Sequence, residues 1–119
     1  MKIASIDIGT NAVKSKIFDT SPTSIKFVEG IRFPIRLGTE VFRSGKITNE
    51  KLDELVKTLR KYKKSFTKKN IKMYEIVATS AFRDTKNSED ARRYVENKIE
   101  HPIRIISGLE AVSYTHLTL

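Results

Sequence analysis

Runs of apolar residues divide the first 45 residues of the chain into three short strands and a less regular segment. Residues 2–8 (KIASIDI) are largely apolar and β-branched, which predicts a strand buried on both faces. Residues 13–18 and 24–29 alternate between apolar and polar positions, and short turns separate the three segments. This spacing predicts an antiparallel meander. Pro34, Gly38 and Gly45 predict irregular structure over residues 31–45.

A helical period follows. Thr48 is a helix-capping residue, and apolar positions then recur at intervals of three and four, at Leu52, Leu55, Val56, Leu59, Tyr62 and Phe66. A strand is predicted at residues 74–78, a second helix on the repeat Ala91, Val95 and Ile99, and a fifth strand at residues 103–106. The order β-β-β-α-β-α-β predicts an α/β fold with a mixed five-stranded sheet and flanking helices.

Composition excludes several classes of protein. The chain has 119 residues and no cysteine, so disulfides, Cys-ligated zinc and thiol nucleophiles are excluded, and its two histidines are too few for a histidine metal cage. Its apolar runs are far shorter than the roughly 20 residues that span a bilayer. Asp7 interrupts the segment in which a signal peptide would be apolar. We therefore expect a cytoplasmic protein without a membrane partner.

The net charge of +9 is concentrated in one segment. Residues 57–72 contain eight Lys and Arg side chains and no acid. Such a segment can attract nucleic acid, anionic lipid or a polyanionic small molecule, or it can be the solvated face of a helix. The apolar stripe on the opposite face of the predicted helix favours the second interpretation. Tyr62 and Phe66 belong to that stripe, which leaves few rings for base stacking and makes a nucleic-acid partner unlikely.

Polar side chains follow three of the predicted strands, at residues 7–11, 79–84 and 107–110. Parallel strands end at the same edge of a sheet, so we expect these three clusters to meet in one crevice. Open α/β sheets bind their ligands at such a crevice.

The first cluster suits phosphate. Gly9 is expected to adopt a backbone conformation closed to other residues, which would bring amide N–H groups close to an anion. Thr10 and Asn11 add side-chain donors, and Asp7 suits a Mg²⁺ ion that bridges to phosphate. An ordinary hairpin turn would explain the same residues.

The other two clusters complete the candidate site. Thr79 and Ser80 supply hydroxyls and Arg83 a planar array of donors for phosphate oxygens, although Arg83 could equally pair with Asp84 or the sheet and only shape the loop. Glu110 is a candidate general base for activating water. On its own it would also suit the start of a helix.

Four segments resemble the exopolyphosphatase / guanosine pentaphosphate phosphohydrolase family: IDIGTNAV at 6–13, PIRLGTEVF at 34–42, VATSAFRDTKNS at 77–88 and IISGLE at 105–110. The first is shared with the wider superfamily of sugar kinases, actins and heat-shock chaperone ATPases, and the third is more specific. The resemblance implies a ribonuclease-H-like half-domain that, with Mg²⁺, removes terminal phosphates from polyphosphate or guanosine pentaphosphate. By motif position, Asp7 would help to hold Mg²⁺, and Glu110 would orient or deprotonate the attacking water. Phosphate contacts would come from Gly9, Thr10, Asn11, Thr79, Ser80 and Arg83.

The resemblance also implies a fragment. Residues 1–110 would form the amino-terminal half-domain, and residues 111–119 are an atypical tail that does not resemble the family. The family's second phosphate loop, D-x-G-G-G-S, is absent from the sequence. We therefore expect missing carboxyl-terminal domains, a homodimer for the full-length protein and negligible turnover by this chain alone. A nucleotide-dependent kinase of the same superfamily and a basic nucleic-acid-binding module are the alternatives.

Overall fold

The first three strands form the antiparallel meander that the alternation predicts. A computed structural model describes residues 1–106 and contains β1 (Lys2–Ile8), β2 (Val13–Ser21) and β3 (Ser24–Phe33). β1 pairs with β2, and β2 with β3, each in antiparallel register. The β2–β3 turn is only two residues long, which makes both strands longer than predicted.

Helices then connect two further strands to the sheet. β4 (Met73–Ala78) pairs parallel to β1, and β5 (Arg104–Ile105) pairs parallel to β4, which gives the strand order β3-β2-β1-β4-β5. The mixed five-stranded sheet is therefore confirmed. The remaining elements are α1 (Leu37–Ser44), α2 (Asn49–Lys68), α3 (Ser80–Asp84) and α4 (Ser88–Ile99).

The two long helices pack against each other in one layer. Both crossovers, from β1 to β4 and from β4 to β5, move in the same direction across the sheet, and right-handed crossovers then place α2 and α4 on the same face. All nine apolar positions predicted on these two helices are buried in the core, together with Ile6, Ile8 and Ile76 of the sheet.

The sequence features that begin and anchor α2 are also present. The hydroxyl of Thr48 accepts a hydrogen bond from the backbone N–H of Lys51, so the predicted cap is confirmed. The Tyr62 hydroxyl donates to the carbonyls of Val13 (3.1 Å) and Ile31 (2.7 Å), which ties the helix to β2 and β3. No helix within residues 1–106 is long and apolar enough to cross a membrane.

The expectation of irregular structure over residues 31–45 is wrong. β3 continues to Phe33, and α1 occupies residues 37–44 with Gly38 in its first turn. Leu37 is fully buried and Val41 packs against the core, so tertiary contacts outweigh the poor helix propensity of glycine. Gly45 ends α1 with a left-handed φ of 80°, as is common after a helix.

Candidate active site

Two of the three predicted polar clusters meet at the carboxyl edge, the edge of the sheet where β1 and β4 end. Ile8 and Ala78 are partners in the last rung of the pairing between these strands, and the Thr79 N–H donates to the Ile8 carbonyl at 3.1 Å. Beyond this rung, the Thr10 and Ser80 hydroxyl oxygens lie 2.5 Å apart. The third cluster, residues 107–110 with Glu110, lies outside the described residues. The strand that leads to it is adjacent, since Ile106 N–H donates to the Ala78 carbonyl.

The first loop, residues 9–12 between β1 and β2, has two backbone N–H groups available to donate to a ligand. Gly9 N–H closes the turn by donating to the Ala12 carbonyl at 2.9 Å. Thr10 and Asn11 have backbone N–H groups without a hydrogen-bond partner in the described part of the chain. Free N–H groups beside a hydroxyl are a donor set that suits phosphate oxygens.

Gly9 itself differs from the prediction. Among residues 1–106 the glycine with a positive φ is Gly45, so Gly9 does not use the left-handed conformation. Glycine suits this position because there is little room for a side chain. A Cβ atom would lie 3.1 Å from the Ala12 carbonyl oxygen, which is tighter than an ordinary contact.

Helix α1 fixes the first loop from the other side. The Gly38 N–H donates to the Thr10 carbonyl at 3.0 Å. A Cβ atom on Gly38 would lie only 2.2 Å from Cγ2 of Thr10, so no larger residue fits without moving that side chain. Sequence reasoning missed this role of Gly38. The sequence signal for this role was the position of Gly38 inside the segment 34–42 that resembles the family.

Asp7 is a partly buried carboxylate with no hydrogen-bond or ion-pair partner among residues 1–106. Its Oδ1 atom has no hydrogen bond, and burial raises the pKa of the carboxyl group above its ordinary value of 3.8. Lys14, its cross-strand partner, and Lys16 oppose this increase in the pKa through their positive charges. Both lysines were also missed, although the alternation of residues 13–18 places them on the Asp7 face.

An unpaired carboxylate oxygen at this position fits a hard divalent cation. Within residues 1–106 no cluster of three or more metal-ligating side chains exists. Mg²⁺ commonly uses one or two protein carboxylates and takes its other ligands from water and substrate phosphates. Asp7, which lies next to a loop whose donors suit phosphate oxygens, therefore suits Mg²⁺.

Arg83 makes both contacts that would shape its loop. Its Nε donates to Asp84 at 3.1 Å, and its Nη1 donates to the Ile106 carbonyl at 3.2 Å. The Nη2 group has no partner in the described residues, and about a third of the side chain is exposed. Arg83 thus anchors the second polar cluster, residues 79–84, to the residue that follows β5, and it retains donors for an anion. This cluster, which includes α3, is called the second loop below.

A hydrogen-bond network connects the residues that follow the second loop to the segment between α1 and α2. The Thr85 hydroxyl donates to Asn87 Oδ1 at 2.6 Å, and both side-chain oxygens accept from the Ile47 N–H. Lys86 N–H donates to the Gly45 carbonyl. These contacts join the segment after α3 to the end of α1, so both loops rest on one connected scaffold.

The fold and this arrangement define the class: an α/β domain with a polar site, suited to phosphate oxygens, at the carboxyl edge of a mixed sheet. Residues 15–118 match the Ppx/GppA phosphatase family, and the chain belongs to that family. The matched range begins after the first loop.

Individual relatives agree with this assignment. The chain is 27% identical to exopolyphosphatase 1 of Mycobacterium bovis over 123 residues, which cover all of this chain and 35% of that protein. It is 31% identical to the bifunctional 3-dehydroquinate synthase/phosphatase of Fusobacterium nucleatum, covering 88% of this chain and 17% of that protein. The crystal structure of the Aquifex aeolicus Ppx/GppA family member superposes with a TM-score of 0.84 at 27% identity, covering 91% of this chain and 35% of that one. The chain therefore spans about a third of the length of its exopolyphosphatase relatives.

Proposed function

We propose that this chain forms the phosphate-binding half of a Mg²⁺-dependent enzyme that releases orthophosphate from the end of inorganic polyphosphate. The observation that carries the proposal is the contact between the Thr10 and Ser80 hydroxyls beside the unpaired Asp7 carboxylate. Similarity to exopolyphosphatase 1 supports polyphosphate as the substrate.

The two loops bind and orient the terminal phosphate. The contact between the Thr10 and Ser80 hydroxyls uses one of their two protons. The other hydroxyl and the free N–H groups of Thr10 and Asn11 donate to the phosphate oxygens. Arg83 adds a charge-assisted donor through Nη2 while its other contacts keep the guanidinium in place. Because the scaffold fixes these donors before substrate binds, little reorganisation is needed during the reaction.

Asp7 is the residue that would hold Mg²⁺. Bound there, the ion would supply positive charge to the phosphate oxygens and help to align the terminal group for attack. Lys14 and Lys16 add positive charge on the same face of the sheet. Together these charges offset the repulsion between the Asp7 carboxylate and the substrate.

Glu110, by resemblance, is the general base. It accepts a proton from water, the water oxygen bonds to the terminal phosphorus, and the shortened chain leaves as an oxyanion when the bridging P–O bond breaks. The rest of the cleft would come from the two thirds of the relatives' length that this chain lacks. We therefore expect negligible turnover from the 119 residues alone.

The test is orthophosphate release from polyphosphate by a protein that joins this chain to the remaining part found in its relatives. We expect release that requires Mg²⁺, and we expect Asp7→Asn to lower it by about a hundredfold or more, the scale on which loss of a group at the reacting centre is measured. Asp90→Asn, which changes an exposed acid on α4, is the matched control and should leave the rate unchanged.

Guanosine pentaphosphate is the comparison substrate. Faster release from that nucleotide than from polyphosphate would replace the proposed substrate and keep the reaction type. Absence of release from both would contradict the proposed function.

A further inference from the structure

The basic segment of residues 57–72 contains two kinds of side chain. Three of them bind other parts of the fold: Arg60 Nη2 donates to the Lys98 carbonyl at 3.0 Å, Lys63 Nζ donates to the Ile99 carbonyl at 3.1 Å, and Lys69 pairs with Glu29. These contacts attach α2 to the end of α4 and to β3. The interpretation of the whole segment as a solvated face is therefore incomplete.

The second kind, together with Arg60 and with Lys98 of α4, lines a groove between α2 and α4. The groove has a volume of about 530 Å³, and its walls carry five exposed cationic side chains, at Lys57, Arg60, Lys61, Lys64 and Lys98. Lys57 and Lys64 have no ion-pair or hydrogen-bond partner among residues 1–106. The spacing from Lys57 to Lys64 is two helical turns, which places their Cα atoms about 10 Å apart along the helix axis.

The acid in this groove is already engaged. Asp53 Oδ1 accepts a hydrogen bond from the Tyr94 hydroxyl, and the Lys98 ammonium lies over the Tyr94 ring, 5.6 Å from its centroid. The groove is therefore lined by five cationic side chains and one carboxylate that is bound to a neighbour. Arg60, Lys61 and Lys98 also contact the Lys98 carbonyl, the Phe33 ring and the Tyr94 ring. An elongated surface of this charge attracts a linear polyanion with several negative groups in sequence.

The groove is poorly suited to single-stranded nucleic acid. Tyr62 and Phe66 point into the core, each with about 1% of its surface exposed. The Lys98 ammonium lies over the Tyr94 ring, and the Tyr94 hydroxyl donates a hydrogen bond to Asp53, so this ring is not free to stack on a base. Base stacking contributes much of the affinity for single strands, and this groove offers no free ring in the described part of the chain. A phosphate chain without bases fits better.

We propose that the α2–α4 groove is a second binding site, separate from the carboxyl edge, for an extended inorganic polyphosphate chain. The choice of polyphosphate as the polyanion rests on the proposed function, whereas the site itself rests on the groove. α2 begins beside the second loop, where Ile47 contacts Thr85, and the groove lies one to four turns further along the helix. It would therefore hold a remote part of a long chain and would have no role with a short one.

The test is equilibrium binding of the 119-residue chain to long-chain polyphosphate and to tripolyphosphate at several salt concentrations. The groove variant is Lys57→Gln/Lys61→Gln/Lys64→Gln. The matched control, Lys2→Gln/Lys26→Gln/Lys72→Gln, removes the same charge from exposed positions outside the groove. Thermal unfolding checks that both variants remain folded.

We expect the groove variant to bind long chains about tenfold or more weakly. The plot of log affinity against log salt should also become less steep, its slope decreasing in magnitude by about 2, at ~0.7 per released counterion. Tripolyphosphate binding and the control variant should be unchanged. Equal losses in both triple variants would overturn the proposal, because they would show a response to net charge alone. Tighter binding of single-stranded or duplex DNA than of polyphosphate through the same lysines would also overturn it.

The groove proposal and the proposed function can fail independently of each other. If the longer protein releases no orthophosphate but the groove variant still loses long-chain binding, the groove proposal stands and the catalytic proposal fails. If release occurs and groove binding is absent, the opposite holds.

Discussion

The carboxyl edge and the α2–α4 groove both suit phosphate, but they do so by opposite means. At the carboxyl edge, hydroxyls and backbone N–H groups are fixed by the Thr10–Ser80 contact and by Gly38. In the groove, five long cationic side chains line an open channel, and two of them, Lys57 and Lys64, have no ion-pair or hydrogen-bond partner among residues 1–106. The edge therefore depends on position, and the groove depends on the amount of charge.

This difference predicts how each region responds to change. A donor set that is fixed in advance loses its function when a side chain moves by about an ångström. A row of flexible lysines tolerates small movements, but its attraction weakens as salt screens the charges. A single added methyl group should therefore disable the edge and have no effect on the groove, whereas salt should weaken the groove most.

The largest expected effect follows from adding that methyl group with Gly38→Ala. The new Cβ atom would lie 2.2 Å from Thr10 Cγ2, so Thr10 must rotate and lose its contact with Ser80. Overpacking of this kind costs about 1–3 kcal/mol, which exceeds the roughly 1 kcal/mol that alanine gains in helix propensity. We expect a lower free energy of unfolding by urea denaturation and a large loss of orthophosphate release in the longer protein.

Thr10→Ser provides the control, because serine keeps the hydroxyl and removes the methyl group that clashes. The double variant Gly38→Ala/Thr10→Ser should recover most of the stability and activity that Gly38→Ala loses. Without this recovery, the clash with Thr10 would not be the cause of the effect.

Asp7→Asn should separate stability from function at the same edge. Burial raises the pKa of Asp7, so between 3.8 and the raised value the folded chain binds more protons than the unfolded chain. The free energy of unfolding therefore falls as pH rises through this window, and the ionised carboxylate lowers stability at neutral pH. We expect Asp7→Asn to be more stable than the original chain at pH 7, and we expect this difference to decrease as pH falls through the same window towards 3.8.

Urea denaturation at pH 7 and pH 3 measures this difference, with Asp90→Asn as the control for loss of an exposed acid. Added Mg²⁺ should raise the stability of the original chain and leave Asp7→Asn unchanged, because a bound ligand stabilises the folded state. A less stable Asp7→Asn at pH 7 would contradict the burial argument. Equal stabilisation of both proteins by Mg²⁺ would place the ion elsewhere.

Much of the fold follows from the sequence because its signals are local and periodic. The stripe from Leu52 to Phe66 and the repeat of Ala91, Val95 and Ile99 predict α2 and α4, and all of these residues are buried. α1 could not be predicted in the same way. Its eight residues contain Gly38 and follow Pro34, so local propensity opposes the helix, and only burial of Leu37 and the contact with Thr10 explain it.

The candidate site shows a similar division. Strand ends in parallel register predict that residues 7–11 and 79–84 meet, and the Thr10–Ser80 contact bears this out. The dependence of Thr10 on Gly38 joins residues 28 positions apart through an unpredicted helix, so no local pattern indicates it. The assignments of phosphate contacts and of Mg²⁺ stay predictions, and Glu110 lies outside the described residues.

The smallest expected effect is the difference between two adjacent lysines on α2. One of them stabilises the fold, and the other lines the groove. Lys63 donates to the Ile99 carbonyl at the end of α4, whereas Lys64 lines the groove without a partner in the described residues. A cation at a helix carboxyl terminus contributes about 0.3–1 kcal/mol, so Lys63→Gln should lower the free energy of unfolding by that amount. Lys64→Gln should leave stability unchanged and weaken long-chain polyphosphate binding severalfold. The two variants have the same charge and lie one position apart, so a difference between them cannot come from net charge. Matching effects on stability and binding would mean that structural and ligand-binding cations are not distinct on this helix, and the contrast between the groove and the fixed carboxyl edge would lose its basis.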